Sequence, residues 1–192
     1  MSHMQASKRV LRFVKGTIDS GVLFPFEAGS EKSYLLGYTD SYWKRDPKQN
    51  KSTGGYLFMY YGAPVAWSSR KQEVVALSTC EAEYVATSLG ACQAVWMMNV
   101  LEELKLRERK YVCLMIDNKS AINLAKHPIL HGKSKHIELR FHYIREQVLT
   151  GNVVVEYCKA EEQLADLMTK PVLVSRFKQI CGKLVSSLKD LN

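Results

Sequence analysis

The chain has 192 residues, of which 46% are apolar and 24% charged, and it carries a net charge of +8. The length favours a single domain with a hydrophobic core, and the basic excess favours a polyanionic partner. No apolar run approaches the roughly 18 residues that cross a bilayer and no signal peptide is visible, so we expect an intracellular protein with no membrane partner.

The N-terminal half predicts a helix and then three strands. Residues 1–4 (MSHM) are interpreted as an expression scar, and residues 7–16 predict a helix that ends at a glycine. Residues 33–43 (SYLLGYTDSYW) are rich in β-formers and predict the first strand. After the polar loop KRDPKQNKSTGG, the runs GYLFMYY and APVAWSS predict two further strands joined by a tight turn. The three strands together predict an antiparallel meander.

A long helix is predicted next. Ser78 and Glu81 form an S-x-x-E capping box at its start. Apolar residues then recur at helical spacing and predict the apolar face of the helix: Val85, Leu89, Cys92, Trp96 and Val100.

The C-terminal half alternates strands with helices. Residues 112–116 are consecutive apolar residues before a polar turn, which is typical of a strand buried on both faces. Helices are predicted at about 118–126 and from about 135, followed by a fifth strand, NVVVEYC, and a short helix, EEQLADLMT. An amphipathic tail helix carries Leu173, Phe177, Ile180, Leu184 and Leu188. This order predicts a mixed α/β fold with a five-stranded sheet, helices on both faces, and the first and fourth strands as central neighbours.

Four acids are candidates for one site. Asp40 lies in the first strand and Asp117 ends the fourth, so the two carboxylates meet if these strands are neighbours. Because two bare charges repel each other in a dry site, a divalent cation is expected between them, and Mg²⁺ prefers such oxygen ligands. Glu83, near the start of the long helix, and Asp166, after the fifth strand, are expected to face the same region. Two such ions can act on a phosphoryl centre.

Each acid also has a structural alternative. Glu81 and Glu83 flank the apolar stripe almost symmetrically, so periodicity does not choose between them, but the capping box gives Glu81 a local role and favours Glu83. Asp117 could cap the following helix, Asp40 could pair with a lysine, and Asp166 could lie on the surface.

The cysteines and histidines are expected to be structural. The five cysteines lie far apart without a CxxC pair, which argues against a zinc site or a disulfide scaffold and favours free, mostly buried thiols. His136 and His142 lack the i, i+4 spacing of paired ligands, which favours hydrogen-bonding roles.

Basic residues group at 8–15, 70–71, 107–110 and 133–140. Each group taken singly is typical of a solvated face.

An ordered series of motifs covers most of the chain: KSTGGYLF, VAWSSRKQ, ALSTCEAEY, IDNKSAI, HGKSKHIELRFHYIRE and EEQLADLMTKP. The series resembles the ribonuclease H domain of copia-type retrotransposon Pol polyproteins, C-terminal to reverse transcriptase. The resemblance implies a ribonuclease H-like fold at residues 33–170. Residues 5–32 would connect to the preceding polymerase domain, and residues 171–192 would form a C-terminal helix and tail.

The resemblance also implies a site and a reaction. The quartet Asp40, Glu83, Asp117 and Asp166 would bind two Mg²⁺ or Mn²⁺ ions and cleave the RNA strand of RNA/DNA hybrids during reverse transcription. The expected partners are the hybrid and the reverse transcriptase domain of the same polyprotein, in a retrotransposon particle in the cytoplasm or in the nucleus. Tyr42 replaces a second acid that relatives commonly carry.

Five residues are expected to contact the substrate. Arg70 and Lys71 precede the long helix and are expected to neutralise phosphates of the DNA strand. Ser41, Asn118 and Ser120 are adjacent to the catalytic aspartates and are expected to contact RNA sugars, whose hydroxyls are accessible in a wide minor groove.

Two other functions stay open. An integrase- or transposase-type strand transferase would use Asp40, Asp117 and a later glutamate, either Glu161 or Glu162. A catalytically silent nucleic-acid-binding module would bind the hybrid without cleaving it.

Overall fold

The fold is taken from a computed structural model, which describes residues 3–22, 24, 34–46, 48–107, 109–126 and 135–187. The helices are α1 (His3–Gly16), α2 (Thr79–Glu103), α3 (Lys119–Lys126), α4 (Lys135–Leu149), α5 (Asp166–Thr169) and α6 (Val174–Leu184), with a 3₁₀ turn at Ala160–Glu162. The strands are β1 (Ser20–Gly21), β2 (Leu36–Asp46), β3 (Lys51–Tyr60), β4 (Ala63–Lys71), β5 (Val112–Ile116), β6 (Val153–Tyr157) and β7 (Ser186–Ser187). Among the described residues, no helix combines the length and the apolarity that a membrane span requires.

Five strands form one mixed sheet in the order β4-β3-β2-β5-β6. The pairs β2–β3 and β3–β4 are antiparallel, whereas β5 is parallel to both β2 and β6. Tyr61 and Gly62 join β3 to β4 with φ angles of 50° and 78°, which is typical of a tight hairpin turn. The predicted meander and the predicted pairing of the first and fourth strands are both confirmed.

Helices cover both faces of the sheet, as predicted. The larger core lies under α2, α3 and α4 and includes Phe58 of β3. A smaller core on the other face contains Leu57, Met59, Leu164 and Ile180, the last of these from α6. Successive residues of β3 therefore pack in different cores, because side chains along a strand point alternately to the two faces of the sheet.

Small residues determine which face of α2 packs on the sheet. Cys92 is exposed and Trp96 is 59% exposed, whereas Ala91 is fully buried. A Cβ added to Gly90 would lie 2.4 Å from Cγ2 of Thr39, so the helix backbone approaches β2 more closely than a larger residue would permit. The predicted apolar face is therefore wrong at Cys92 and Trp96. The face of α2 that packs on the sheet carries short side chains, because the helix lies so close to the strands.

Two predicted segment boundaries are also wrong. The polar loop after the first strand is short, because β2 continues to Asp46, which pairs with Lys51 of β3. The helix predicted from EEQLADLMT is divided into the 3₁₀ turn and α5, and the Gln163 side chain between them donates to the carbonyl oxygen of Thr39 instead of following a helical surface.

The termini of the described chain meet in a second sheet that the sequence did not indicate. β1 and β7 pair antiparallel, and the Phe13 ring of α1 contacts the Phe177 ring of α6 at a centroid distance of 6.5 Å. The tail helix ends at Leu184, earlier than predicted, and Leu188 lies outside the described residues.

The five cysteines are thiols that form no disulfide bond, as predicted. Only Cys113 and Cys158 are buried, and Cys92 is exposed. The expectation of mostly buried thiols is therefore wrong, because Cys92 lies on the face of α2 that the small-residue contact turns away from the sheet.

Candidate metal centre

Three carboxylates from different elements meet where β2 and β5 run side by side. Leu36 pairs with Cys113 and Tyr38 with Met115, and this parallel register carried two residues further places Asp40 beside Asp117. The third carboxylate belongs to Glu83, near the start of α2, which packs over β2. One oxygen from each carboxylate lies within 4.8 Å of the others.

Burial makes these charges costly. Asp40 is 1% exposed, and burial raises its pKa to about 6, although Lys170 and Thr169 favour the ionised form. Burial, followed by the nearby charges of Asp40 and Asp117, raises the pKa of Glu83 well above its ordinary value. Burial also raises the pKa of Asp117. The cluster therefore favours either protons or a compensating cation.

Lys170 connects Asp166 to this cluster. Its Nζ lies 2.7 Å from Oδ1 of Asp166 and 3.6 Å from Oδ1 of Asp40. The Thr169 hydroxyl donates a hydrogen bond to Oδ2 of Asp40. Asp166 is 6% exposed, so it is not a surface residue, whereas the alternative in which Asp40 pairs with a lysine is confirmed. Sequence reasoning did not identify which lysine pairs with Asp40, and it missed the Lys170–Asp166 pair, although the i, i+4 spacing of these two residues was a usable signal.

The two glutamates at the start of α2 have different roles. The Ser78 hydroxyl accepts a hydrogen bond from the backbone N–H of Glu81 at 3.2 Å, and Oε2 of Glu81 accepts one from the N–H of Leu77 at 2.8 Å. Glu81 is therefore a capping residue, as predicted. Oε1 of Glu83 instead accepts from the N–H of Ser41 at 3.0 Å, which fixes this carboxylate beside β2.

The acid cluster fits a hard divalent cation. All its ligand atoms are carboxylate oxygens, the type that Mg²⁺ prefers. Oε2 of Glu83 is buried and has no hydrogen-bond partner among the described residues. A cation in contact with Asp40, Glu83 and Asp117 would satisfy this oxygen and reduce the mutual repulsion. Asp166 is outside this group of three carboxylates and is joined to Asp40 through Lys170.

Arg70 and Lys71, at the end of β4, have different surroundings. Arg70 is exposed and lines a cavity of about 240 Å³ with Gly54 and Tyr56. Nζ of Lys71 lies 2.5 Å from Oδ2 of Asp46, and this contact lowers the pKa of the aspartate. Lys71 is thus paired within the protein, whereas Arg70 lines the cavity.

The three polar residues expected at RNA sugars are all near the acids. Oγ of Ser41 is enclosed and has no hydrogen-bond partner among the described residues, while Ser120 is exposed in the first turn of α3. Oδ1 of Asn118 accepts from the N–H of Ala121 at 3.1 Å, so Asn118 rather than Asp117 caps α3. The substrate contacts of these residues stay predictions.

The later glutamates of the strand-transferase alternative lie outside the acid cluster. Glu161 and Glu162 are exposed in the 3₁₀ turn, outside the three-carboxylate cluster found among the described residues. The positions of these acids favour Glu83 as the third acid.

His142 is exposed on α4, and the side chain of His136 lies outside the described residues.

Sequence comparison relates the chain to retrotransposon polyproteins. It is 38% identical over 183 residues to the retrovirus-related Pol polyprotein from transposon TNT 1-94 of Nicotiana tabacum. It is 35% identical over 182 residues to that from transposon RE1 of Arabidopsis thaliana. Each match covers 95% of this chain, which spans only 13% and 12% of the two polyproteins. No family model matches the chain.

Structural comparison relates the fold to ribonucleases H. RNase H1 from the halophilic archaeon Halobacterium salinarum matches with a TM-score of 0.51 and 16% identity, over 70% of this chain and 93% of that one. LC11-RNase H1, solved in complex with an RNA/DNA hybrid, matches with a TM-score of 0.50 and 15% identity, over 71% and 94%. The predicted ribonuclease H-like fold is confirmed.

Proposed function

Because this chain belongs to the family of ribonuclease H domains of copia-type Pol polyproteins, we propose that it cleaves the RNA strand of RNA/DNA hybrids with divalent metal ions. The observation that carries the proposal is the meeting of Asp40, Glu83 and Asp117 within 4.8 Å, beside Asp166. Asp40 and Glu83 are buried, so water does not compensate their charges, and a bound cation would.

The chain's own residues prepare this site in three ways. The Ser41 N–H orients Glu83, and the Thr169 hydroxyl orients Asp40. The Lys170 ammonium favours the ionised form of Asp40, which is the form that binds a cation. Asp40, Glu83, Asp117 and Asp166 would hold two Mg²⁺ ions. When bound, Mg²⁺ supplies Lewis-acid activation of water and of the phosphodiester.

The hybrid is proposed to lie across the end of the sheet at which the acids of β2 and β5 meet. Arg70 would neutralise a phosphate of the DNA strand from the groove that it lines with Gly54 and Tyr56. Such phosphate contacts position a duplex without reading its sequence. The further partner is the reverse transcriptase domain of the same polyprotein, within an intracellular retrotransposon particle.

A panel of labelled duplexes tests the function. We expect the protein to cleave the RNA strand of an RNA/DNA hybrid in Mg²⁺, and to leave duplex DNA, duplex RNA and all EDTA controls intact. Gel analysis of the products measures this directly. Binding of the hybrid without cleavage, in Mg²⁺ and in Mn²⁺, would indicate a silent binding module instead. Activity that survives Glu83→Ala but requires Glu161 or Glu162 would indicate the strand transferase.

A further inference from the structure

Arg176 of α6 is bonded to the loop that leads to Asp166. Its Nη2 donates to the carbonyl oxygens of Ala160 at 2.8 Å and Gln163 at 2.9 Å, and its Nη1 donates to that of Glu161. The Arg176 side chain is only 16% exposed. A planar guanidinium can serve several acceptors at once in a fixed geometry, which a lysine ammonium cannot reproduce.

α6 is itself anchored, so Arg176 contacts the loop from a fixed position. Ile180, one helical turn after Arg176, is fully buried in the smaller core. Residues four apart share one face of a helix, so burial of Ile180 directs Arg176 toward the same side of the protein. Oε1 of Gln179 accepts a further hydrogen bond from Nη1 of Arg176 at 3.0 Å.

The same loop is held from the sheet side by Gln163. Its Nε2 donates to the carbonyl oxygen of Thr39 at 2.9 Å, and its Oε1 accepts from the N–H of Ala165 at 3.2 Å. The loop between β6 and α5 is therefore bonded to β2 on one side and to α6 on the other. Asp166 begins α5 immediately after these contacts, so their geometry determines where its carboxylate lies.

The charge contacts of Asp166 distinguish its two oxygens. Nη2 of Arg176 lies 3.8 Å from Oδ2, whereas Nζ of Lys170 lies 2.7 Å from Oδ1 and also contacts Asp40. Oδ1 is thus the oxygen on the side of the acid cluster. The arginine contact on Oδ2 leaves Oδ1 directed toward Asp40.

We propose that Arg176 is a positioning residue that fixes the loop before Asp166 and directs Oδ1 of Asp166 toward the metal centre. This inference rests on the function proposed above and deepens it. It places α6 within the catalytic unit, beyond the boundary at residue 170 that the sequence predicted. Arg176 would act on cation binding through Asp166, without contacting the cation or the substrate.

Mg²⁺ binding and hybrid cleavage in Arg176 variants test this role. We expect Arg176→Ala to weaken Mg²⁺ binding by about tenfold to a hundredfold, as is typical when a residue supporting a metal ligand is lost. Arg176→Lys loses the planar set of donors but keeps the charge, so it should weaken Mg²⁺ binding less than Arg176→Ala does. Lys178→Ala, at an exposed neighbour on α6, is the matched control and should bind Mg²⁺ like the parent. Titration calorimetry measures Mg²⁺ affinity, and cleavage rates measured against Mg²⁺ concentration provide the second readout.

The Asp166→Asn background separates positioning from a general structural role. If Arg176 acts through Asp166, Arg176→Ala should cause no further loss of Mg²⁺ affinity in that background. Parental affinity in Arg176→Ala, or an undiminished loss in the Asp166→Asn background, would overturn the inference. If circular dichroism shows that Arg176→Ala does not fold, parental affinity in Arg176→Lys would overturn it. Failure of the parent to cleave hybrid would refute the proposed function alone, since the Mg²⁺ affinities still test Arg176.

Discussion

Asp40 shows at the scale of one residue why this site requires positive charge. An isolated carboxylate removed from water costs several kcal/mol to ionise, and burial raises the pKa of Asp40 to about 6. Lys170 and Thr169 offset part of that cost through contacts with the two oxygens of Asp40. Asp117 is less enclosed, and its carboxylate faces the same cluster. A cation bound there acts on carboxylates that are already held in place.

Asp117→Asn is expected to slow hybrid cleavage on the order of a thousandfold, because asparagine keeps the shape but removes the charge that holds the cation. Single-turnover cleavage of a labelled hybrid in saturating Mg²⁺ measures the effect. Glu103→Gln removes an exposed charge at the end of α2 and should leave the rate within about twofold of the parent. Equal rates for the parent and Asp117→Asn would remove Asp117 from the catalytic set.

At the scale of elements, the distance between α2 and the sheet positions Glu83. Gly90 contacts Thr39 directly, and Thr87 exchanges a hydrogen bond of 3.3 Å with the same residue. Because Glu83 lies one helical turn before Thr87, the close helix–strand contact brings its carboxylate to the backbone of Ser41. A larger residue at position 90 would separate α2 from β2.

Gly90→Ala is therefore expected to lower the free energy of unfolding by about 1–3 kcal/mol, the usual cost of overpacking. Intrinsic helix propensity alone would give alanine an advantage of about 1 kcal/mol, so the sign of the change identifies the cause. Gly182→Ala in α6 is the matched control, since apart from its chain neighbours and the adjacent helix backbone no described atom lies within 4 Å of its added Cβ, and it should stabilise the protein slightly. Urea denaturation measures both variants. A stabilised Gly90→Ala would show that α2 can move away without cost.

At the scale of the whole molecule, the acid cluster lies where the two helical layers meet at the sheet. Glu83 comes from the layer over the larger core, and Asp166 comes from the layer over the smaller one. Asp40 and Asp117 belong to the central strands between them. Because acids from both layers meet in the cluster, repulsion between their ionised forms acts against the packing of both layers on the sheet. The free energy of unfolding should therefore depend on pH.

In EDTA, the free energy of unfolding is expected to fall as the pH rises from about 4 to about 7. The pKa of Asp40 is 3.8 in an unfolded chain and about 6 in the folded one, so the folded state binds more protons between these values. Its stabilising contribution is complete below the lower value and is lost as the pH rises through the higher one, a change of about 3 kcal/mol.

Thermal or urea unfolding at several pH values measures this dependence, and Asp40→Asn is the control, because asparagine does not titrate. The parent should lose stability relative to Asp40→Asn across this interval. Added Mg²⁺ should restore stability at pH 7, because it binds the folded state. Parallel pH profiles for the parent and Asp40→Asn would contradict the expectation.

Much of the fold could be predicted from the sequence because the signals are local. The apolar run at residues 112–116 predicted a central strand, and the pattern of Ser78 and Glu81 predicted the start of α2. The antiparallel meander and the pairing of the first and fourth strands followed from rules on connections, and the motif series predicted the ribonuclease H fold. Asp40, Glu83 and Asp117 were named from the same patterns and are brought together in the structure, with Asp166 beside them.

Only the tertiary structure decided how these acids are held and compensated. The contact between Thr169 and Asp40 spans 129 positions of the chain, and no local pattern encodes such a pair. Arg176 similarly reaches the loop before Asp166 from another helix. The packing face of α2 depends on Gly90, which has no side chain and so contributes no hydrophobic signal to a periodic pattern. Sequence periodicity reports burial along one element, whereas charge compensation and close backbone approach depend on atoms that folding brings together from distant segments.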